Sequence, residues 1–366
     1  MKRLSVMIKP ASSLCNMRCR YCFYADVSKM RGVANYGIMT HDTALAIIEN
    51  IYLDLSDGDK ITFAFQGGEP TLAGLPFFEF FVSQVKAKPQ KMRVFYAIQT
   101  NGLTLNDEWC VFLKTNNFLV GLSLDGNATA HDSNRLDGNQ LGTFSRVMQS
   151  KRLLERHNVD YNVLTVLTNE TARYPQKMWD FVLKENIRYI QFIPCLDGLN
   201  SCKKSVWGLT PRRFHRFYTA LFAFWKEQIL KNNFFSVKLF DDLMDLLVSG
   251  RAVACGINGQ CHPQFVVEAD GSAFPCDFYV LDEYKIGNLK EITMRQAFNR
   301  SMSGTFHKNR TMLPAICGNC PYRTFCNGGC RRLQPAMYVG PDGFCGFRAL
   351  LGDKLNELLD IVRARR

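Results

Sequence analysis

Eleven of the fourteen cysteines in this 366-residue chain fall into two runs, and no other feature limits its possible folds as strongly. Cys15, Cys19 and Cys22 form C-x3-C-x2-C near the N-terminus, while Cys255, Cys261, Cys276, Cys317, Cys320, Cys326, Cys330 and Cys345 crowd the last third. Cys110, Cys195 and Cys202 stand apart. In a reducing cytosol, clustered thiols read as metal ligands rather than disulfides. Three thiolates make an incomplete site, because a [4Fe-4S] cube has four irons and the fourth stays open to a non-protein ligand. Eight thiolates make two complete four-cysteine sites. Zinc is the competing reading: C-x2-C knuckles such as Cys317 and Cys320 suit both metals, whereas the N-terminal loop lacks the paired knuckles and fourth ligand of most zinc sites.

The start MKRLSVMIKPASSL is basic, but Lys9 and Pro10 cut its apolar stretch short of a signal-peptide core. No run approaches the ~18 consecutive apolar residues of a membrane helix; even ALFAFWKEQIL is broken by Lys226 and Glu227. A cytoplasmic protein outside the membrane is therefore expected. The formal charge of +12 treats every thiol as neutral; with eleven thiolates on three cores of +2, about +7 remains. Lys and Arg are scattered apart from the tail Arg363, Arg365 and Arg366, so nucleic-acid binding is not expected.

With 47% hydrophobic and 21% charged residues, the chain can bury one principal domain and a smaller one. Strand-like stretches are LSVMI, ITFAF, RVFYAIQ, FLVGLSL, YNVLTVL and IRYIQFI. Between them run helix-like segments: TALAIIENIYLDL with Thr40 as N-cap, PFFEFFVSQVKAK, NDEWCVFLKTN, TFSRVMQSKRLLERHN and PQKMWDFVLKEN. This alternation predicts parallel strands, apolar on both faces, in an α/β domain over residues 1–210. An open partial barrel and a doubly wound sheet fit it equally. Residues 211–250 read as a helical connection, 251–348 as a cysteine-rich domain and 349–366 as a closing amphipathic helix.

The loop C-x3-C-x-aromatic-C, with Tyr21 as the aromatic, resembles the cluster loop of the radical S-adenosylmethionine enzymes. There the open iron chelates the amino and carboxylate groups of the cofactor, whose sulfonium is split to a 5′-deoxyadenosyl radical. Gly67, Gly68, Glu69 and Pro70, after ITFAF, match that family's GGEP element. Two glycines permit close backbone approach and a carboxylate suits an ammonium, although an ordinary strand-end turn would look the same when isolated. The resemblance also implies that Ser123 and Arg135 hold the cofactor carboxylate and that Leu196 packs its adenine or ribose; plain core packing is the bland alternative for Leu196.

The C-terminal run, including C-x2-C-x5-C-x3-C, resembles the SPASM-type auxiliary-cluster domain of peptide-modifying radical enzymes. By that resemblance Cys255, Cys261, Cys276 and Cys330 hold one cluster, and Cys317, Cys320, Cys326 and Cys345 the other. Complete ligation points to electron transfer or stabilisation rather than substrate binding. Cys110, within a predicted helix, reads as a small buried hydrophobe.

Over nearly its whole length the chain is similar to the anaerobic sulfatase-maturing enzymes, on the stretches SVMIKPASSLCNMRCRYCFY, NYGIM, FAFQGGEPTLAGL, IQTNG, FLVGLSLDG, CGINGQC, QFVVEADGSAFPCDFYVLD and FCNGGCRR. The similarity implies a partial (β/α)6 barrel joined to the cluster domain, three [4Fe-4S] clusters and S-adenosylmethionine. It also implies a sulfatase polypeptide as substrate, whose cysteine or serine becomes Cα-formylglycine, a flavodoxin or ferredoxin as electron donor, and a monomer. Asp277, directly after Cys276, matches the family's base, against the bland reading of an exposed turn carboxylate. Tyr24 and Gln99 are weaker candidates for lining the peptide site, with structural roles as alternatives. The rivals are other SPASM-type peptide modifiers, forming thioethers, epimers or cofactor precursors, and a non-catalytic metal module. Many such modifiers carry a peptide-recognition domain before the cluster loop, and Cys15 comes too early to leave room for one.

Overall fold

A computed structural model of the chain describes residues 1–199, 205–250, 252, 254–308 and 312–364, so Cys202 lies outside the described residues. All six strand-like stretches form strands: β1 (Arg3–Ile8), β2 (Lys60–Phe65), β3 (Arg93–Thr100), β4 (Phe118–Ser123), β5 (Tyr161–Leu167) and β6 (Tyr189–Pro194). Four shorter ones follow: β7 (Ser236–Val237), β8 (Val266–Val267), β9 (Ser272–Phe274) and β10 (Gly287–Asn288).

The helices of the α/β repeat are α1 (Phe23–Lys29), α2 (His41–Tyr52), α3 (Leu75–Lys86), α4 (Asp107–Thr115), α5 (Ala128–Asp132), α6 (Phe144–Arg156) and α7 (Pro175–Lys184). Then come α8 (Pro211–Leu230), α9 (Lys238–Ser249), α10 (Met294–Ser303) and the C-terminal helix Gly346–Ala364. Their starts follow from sequence. Thr40 Oγ1 accepts the Thr43 N–H at 3.1 Å, and Asn106 Oδ1 accepts that of Trp109 at 3.0 Å. Proline occupies the first turn of α3, α7 and α8, where its missing N–H costs nothing.

The chain forms two compact units. The first comprises Met1–Ser123, Asp132–Tyr161 and Pro263–Arg310. In it β1, β2, β3 and β4 pair in parallel in sequence order, with Val6 opposite Phe63 and Phe63 opposite Tyr96. On its other side β1 pairs in parallel with β8, Ile8 opposite Val267, and β9 and β10 add antiparallel strands beyond. The second unit comprises Leu124–His131, Asn162–His262 and Thr311–Arg366, and in it β5, β6 and β7 run parallel.

From β1 to β6 the strand order rises without reversal, as in a barrel and not in a doubly wound sheet, and among the described residues the sheet does not close, as in a partial (β/α)6 barrel with a cysteine-rich C-terminal domain. Burial agrees. Along β2, Ile61, Phe63 and Phe65 are at most 1% exposed, whereas Lys60, Thr62 and Ala64 are half-buried. Helices therefore seal one face of this strand, which departs from the expectation of strands apolar on both. The sealed face meets α3 through edge-on contacts of Phe65 with Phe78 and Phe81, and each such buried ring contributes roughly 2 kcal/mol over its exposed state.

In the second unit α8 buries Phe214, Phe217, Tyr218, Leu221, Phe222 and Trp225, and Lys226 meets Glu357 of the C-terminal helix at 2.7 Å. Among the described residues no helix is long and apolar enough to cross a membrane.

Candidate active site and thiol cavities

Beyond β1 the chain turns into the loop carrying Cys15, Cys19 and Cys22, which α1 closes. Cys22 caps that helix, its Sγ accepting the Ala25 N–H at 3.4 Å. Backbone bonds from Arg18 to the Leu136 carbonyl (2.6 Å) and from Arg20 to that of Asn134 (3.0 Å) fix the loop against residues 134–136. Arg135 is thereby held beside it, its guanidinium 5.6 Å from the Tyr21 ring centroid, within cation–π range. Ser123, at the end of β4, is buried like Arg135. Burial, then the charges of Glu69 and Cys22, push the Cys15 thiol up to about 11, so a bound cation must draw the proton off for ligation.

The GGEP element lies directly on this loop. Gly68 N–H donates to the Ser12 carbonyl at 2.9 Å and Glu69 N–H to that of Leu14 at 2.7 Å. Gly67 adopts φ +126°, and a Cβ on Gly68 would fall on the Leu14 carbonyl, so both glycines are required by the approach. Glu69 is fully buried. Its Oε1 accepts from Thr71 N (3.1 Å), Thr71 Oγ1 (2.6 Å) and Thr100 Oγ1 (2.8 Å), and its Oε2 from Asn101 N (2.7 Å). Burial raises its pKa while these donors oppose the rise. Most of the carboxylate thus ties the end of β3 to the loop, and Oε2 retains capacity for a second donor such as an ammonium. Gly68→Ala should push the loop off its seat, lowering 5′-deoxyadenosine release by about tenfold or more together with iron at the N-terminal site. Unchanged iron content and release would show that the close approach is dispensable.

Asp277 follows β9 and, contrary to a turn carboxylate in solvent, is buried. Its Oδ1 lies 2.6 Å from Lys9 Nζ, and its Oδ2 accepts from Gln66 Nε2 at 2.9 Å. Its backbone N–H donates to Gln264 Oε1 at 3.3 Å. Since Gln66 directly precedes the two glycines, the end of β2 touches both Asp277 and the cysteine loop. The Lys9 ammonium also stands 3.4 Å over the Tyr24 ring. Tyr24 donates its hydroxyl to Glu268 Oε1, which Arg31 meets at 2.7 Å, while Ser12 Oγ donates to Oε2 at 2.8 Å. Burial and the Glu268 carboxylate hold the Tyr24 phenol well above its ordinary pKa, so it stays a donor. Gln99 sits on β3 opposite Gly121.

Lys9, Gln66, Glu268 and Arg31 carry no motif that marks them as site residues. The available signal was charge in apolar company: Lys9 ends the strand RLSVMI and Glu268 follows FVV.

In the second unit Cys317, Cys320, Cys326 and Cys345 line one cavity together with Tyr338 and Phe347. Four thiols around one cavity are the donor set that a [4Fe-4S] cube takes. Burial pushes the Cys326 thiol up to about 11. Asn327, Gly328 and Gly329 take φ +39°, +83° and +68°, and a Cβ on Gly329 would enter the Tyr338 ring, which accounts for the NGG between two of the cysteines. Cys255, Cys261 and Cys330 belong to the same unit, with Gly256 packed on Cys330; Cys276 belongs to the first. Cys110 is buried in α4, as expected of a small hydrophobe. Cys195 follows β6 with its thiol pushed up to about 12 by burial, and half-buried Leu196 comes next, in the second unit.

The chain matches the Radical SAM superfamily model over residues 10–182 and the SPASM iron-sulfur cluster-binding domain over 249–321. It is 43% identical over 371 residues to the cysteine-type anaerobic sulfatase-maturating enzyme of Clostridium novyi (strain NT), covering 99% of this chain and 98% of the relative. The cysteine-type enzyme of Clostridium perfringens (strain 13 / Type A) is 41% identical over 91% of this chain and 90% of its own length. The serine-type enzyme of Bacteroides thetaiotaomicron is 28% identical over 90% and 83%. A solved structure described as native anSMEcpe with bound AdoMet and Kp18Cys peptide superposes with a TM-score of 0.89 at 35% identity, covering 99% of both chains.

Proposed function

This chain belongs to the anaerobic sulfatase-maturating enzymes of the radical SAM superfamily, and we propose that it oxidises a cysteine in a sulfatase's active-site motif to Cα-formylglycine. The choice of cysteine rests on the relatives: those at 41–43% identity are cysteine-type, those at 28% serine-type. The observation that carries the reading is a buried carboxylate, Asp277, joined by Gln66 to the strand end that clamps a three-thiol loop.

Cys15, Cys19 and Cys22 would hold the first [4Fe-4S] cluster, and the eight C-terminal thiols two more. Tyr21, Gly68, Glu69, Ser123, Arg135 and Leu196 would contact S-adenosylmethionine, with Arg135 suited to its carboxylate and Glu69 Oε2 to its ammonium. When bound, cluster and cofactor supply a 5′-deoxyadenosyl radical, which takes hydrogen from Cβ of the target cysteine. Asp277 then accepts the proton from the substrate sulfur as the carbon radical is oxidised to a thioaldehyde, and water replaces sulfide with oxygen. Because Cys276 directly precedes it, the residue taking the proton adjoins one that would hold an electron acceptor. Burial of Lys9, Asp277 and Tyr24 keeps bulk water from the reacting carbon.

A flavodoxin or ferredoxin as donor, a monomeric state and a cytoplasmic location complete the reading, the last because the thiols must stay reduced. The test is mass spectrometry of paired cysteine and serine sulfatase peptides after anaerobic incubation with the reconstituted enzyme. The cysteine peptide should exchange sulfur for oxygen with loss of two hydrogens. A thioether or an unshifted mass would overturn the proposal, and faster oxidation of the serine peptide would overturn its cysteine preference.

A further inference from the structure

Lys9 is fully buried at the end of β1, and a buried ammonium persists only where its charge is compensated. Asp277 Oδ1 at 2.6 Å and the Tyr24 ring face at 3.4 Å do so. Tyr24 is anchored in turn, because Glu268 accepts its hydroxyl while binding Arg31 and Ser12 through the same carboxylate. Lys9 therefore has a fixed seat, and its seat sets that of Asp277.

The two oxygens of Asp277 are not equivalent. Oδ2 accepts from Gln66 at 2.9 Å. Oδ1 is buried and meets the ammonium as an ion pair, without a directed hydrogen bond from the described residues. It carries the attraction of the pair. We infer that Lys9 is a positioning residue for the oxidation, holding the Asp277 carboxylate where it receives the proton of the substrate thiol. This rests on Asp277 being the base. In the step, the S–H bond breaks and an O–H bond forms on the Asp277 carboxylate, while the S–H pair stays on sulfur. One of its electrons joins the unpaired Cβ electron in the second carbon–sulfur bond, and the other reduces an oxidised iron-sulfur cluster by one electron.

Lys9→Met, Lys9→Arg and Asp277→Asn holoenzymes are to be assayed for 5′-deoxyadenosine, formylglycine and affinity for a fluorescein-labelled sulfatase peptide. For Lys9→Met, aldehyde formation should fall by about a hundredfold while peptide affinity stays within about threefold. 5′-Deoxyadenosine should then exceed aldehyde by about tenfold or more, and Lys9→Arg should recover about tenfold of the lost rate. Three results overturn the inference: Lys9→Met with wild-type rate and one-to-one coupling, parallel loss of both products, or Lys9→Arg no better than Lys9→Met in iron-replete protein. If Lys9→Met does not load iron, the product ratio of Lys9→Arg decides, coupling near the wild type supporting the inference and parallel loss overturning it. Normal oxidation by Asp277→Asn removes the base assignment instead, whatever Lys9 does.

Discussion

Cys15→Ala is expected to abolish 5′-deoxyadenosine release and to lower bound iron by about one cube of three. Cys15 is tied into its loop, its sulfur receiving the Met17 N–H at 3.4 Å and lying 3.8 Å from Asn101 Nδ2, the neighbour whose backbone N–H binds Glu69. Alanine leaves two thiolates for a site that already depends on a non-protein ligand, so the loss is of assembly and not of rate. Cys317, Cys320, Cys326 and Cys345 line their own cavity in the second unit, and the variant should stay brown with about two-thirds of its iron. Iron analysis, absorption spectra and chromatography of the nucleoside products check this. Release at the wild-type rate would mean that the N-terminal loop does not build the radical centre.

The parts of the fold legible in sequence were those whose side chains repeat. β2, with Ile61, Phe63 and Phe65 on one face, and α4, with Asn106 before its first turn, carry their own signals. Strands of two or three residues such as β8, β9 and β10 have no period to read. That residues 263–310 compact with the first unit depends on Val267 pairing with Ile8, a contact between segments some 260 positions apart. The candidate site divides similarly. Cysteine spacing and GGEP announce themselves because the chemistry needs those residue types at those intervals. Lys9 and Glu268 do not, since a charged residue at a strand end ordinarily reaches solvent, and only the tertiary pairing of β1 with β8 buries both. Glu69 was legible as a site residue, but its engagement by Thr71, Thr100 and Asn101 required the end of β3 to be in place.

Asp277→Asn should leave cofactor cleavage measurable and reduce formylglycine by about a hundredfold or more. The substitution keeps volume and removes charge. An amide cannot accept the thiol proton at neutral pH, so the carbon radical forms and stalls short of the aldehyde. With Cβ-deuterated peptide, label should therefore appear in 5′-deoxyadenosine while aldehyde does not. The change also strips the Lys9 ammonium of its anion, and breaking a buried pair in this way costs about 3–5 kcal/mol, so the variant should unfold at lower temperature. That loss separates two explanations of inactivity. If Asp277 served only to neutralise Lys9, the double variant Lys9→Met with Asp277→Asn would regain stability and aldehyde formation together, because no uncompensated charge remains. If Asp277 is the base, the double variant regains stability alone, and peptide oxidation stays lost because no acceptor for the thiol proton has been restored.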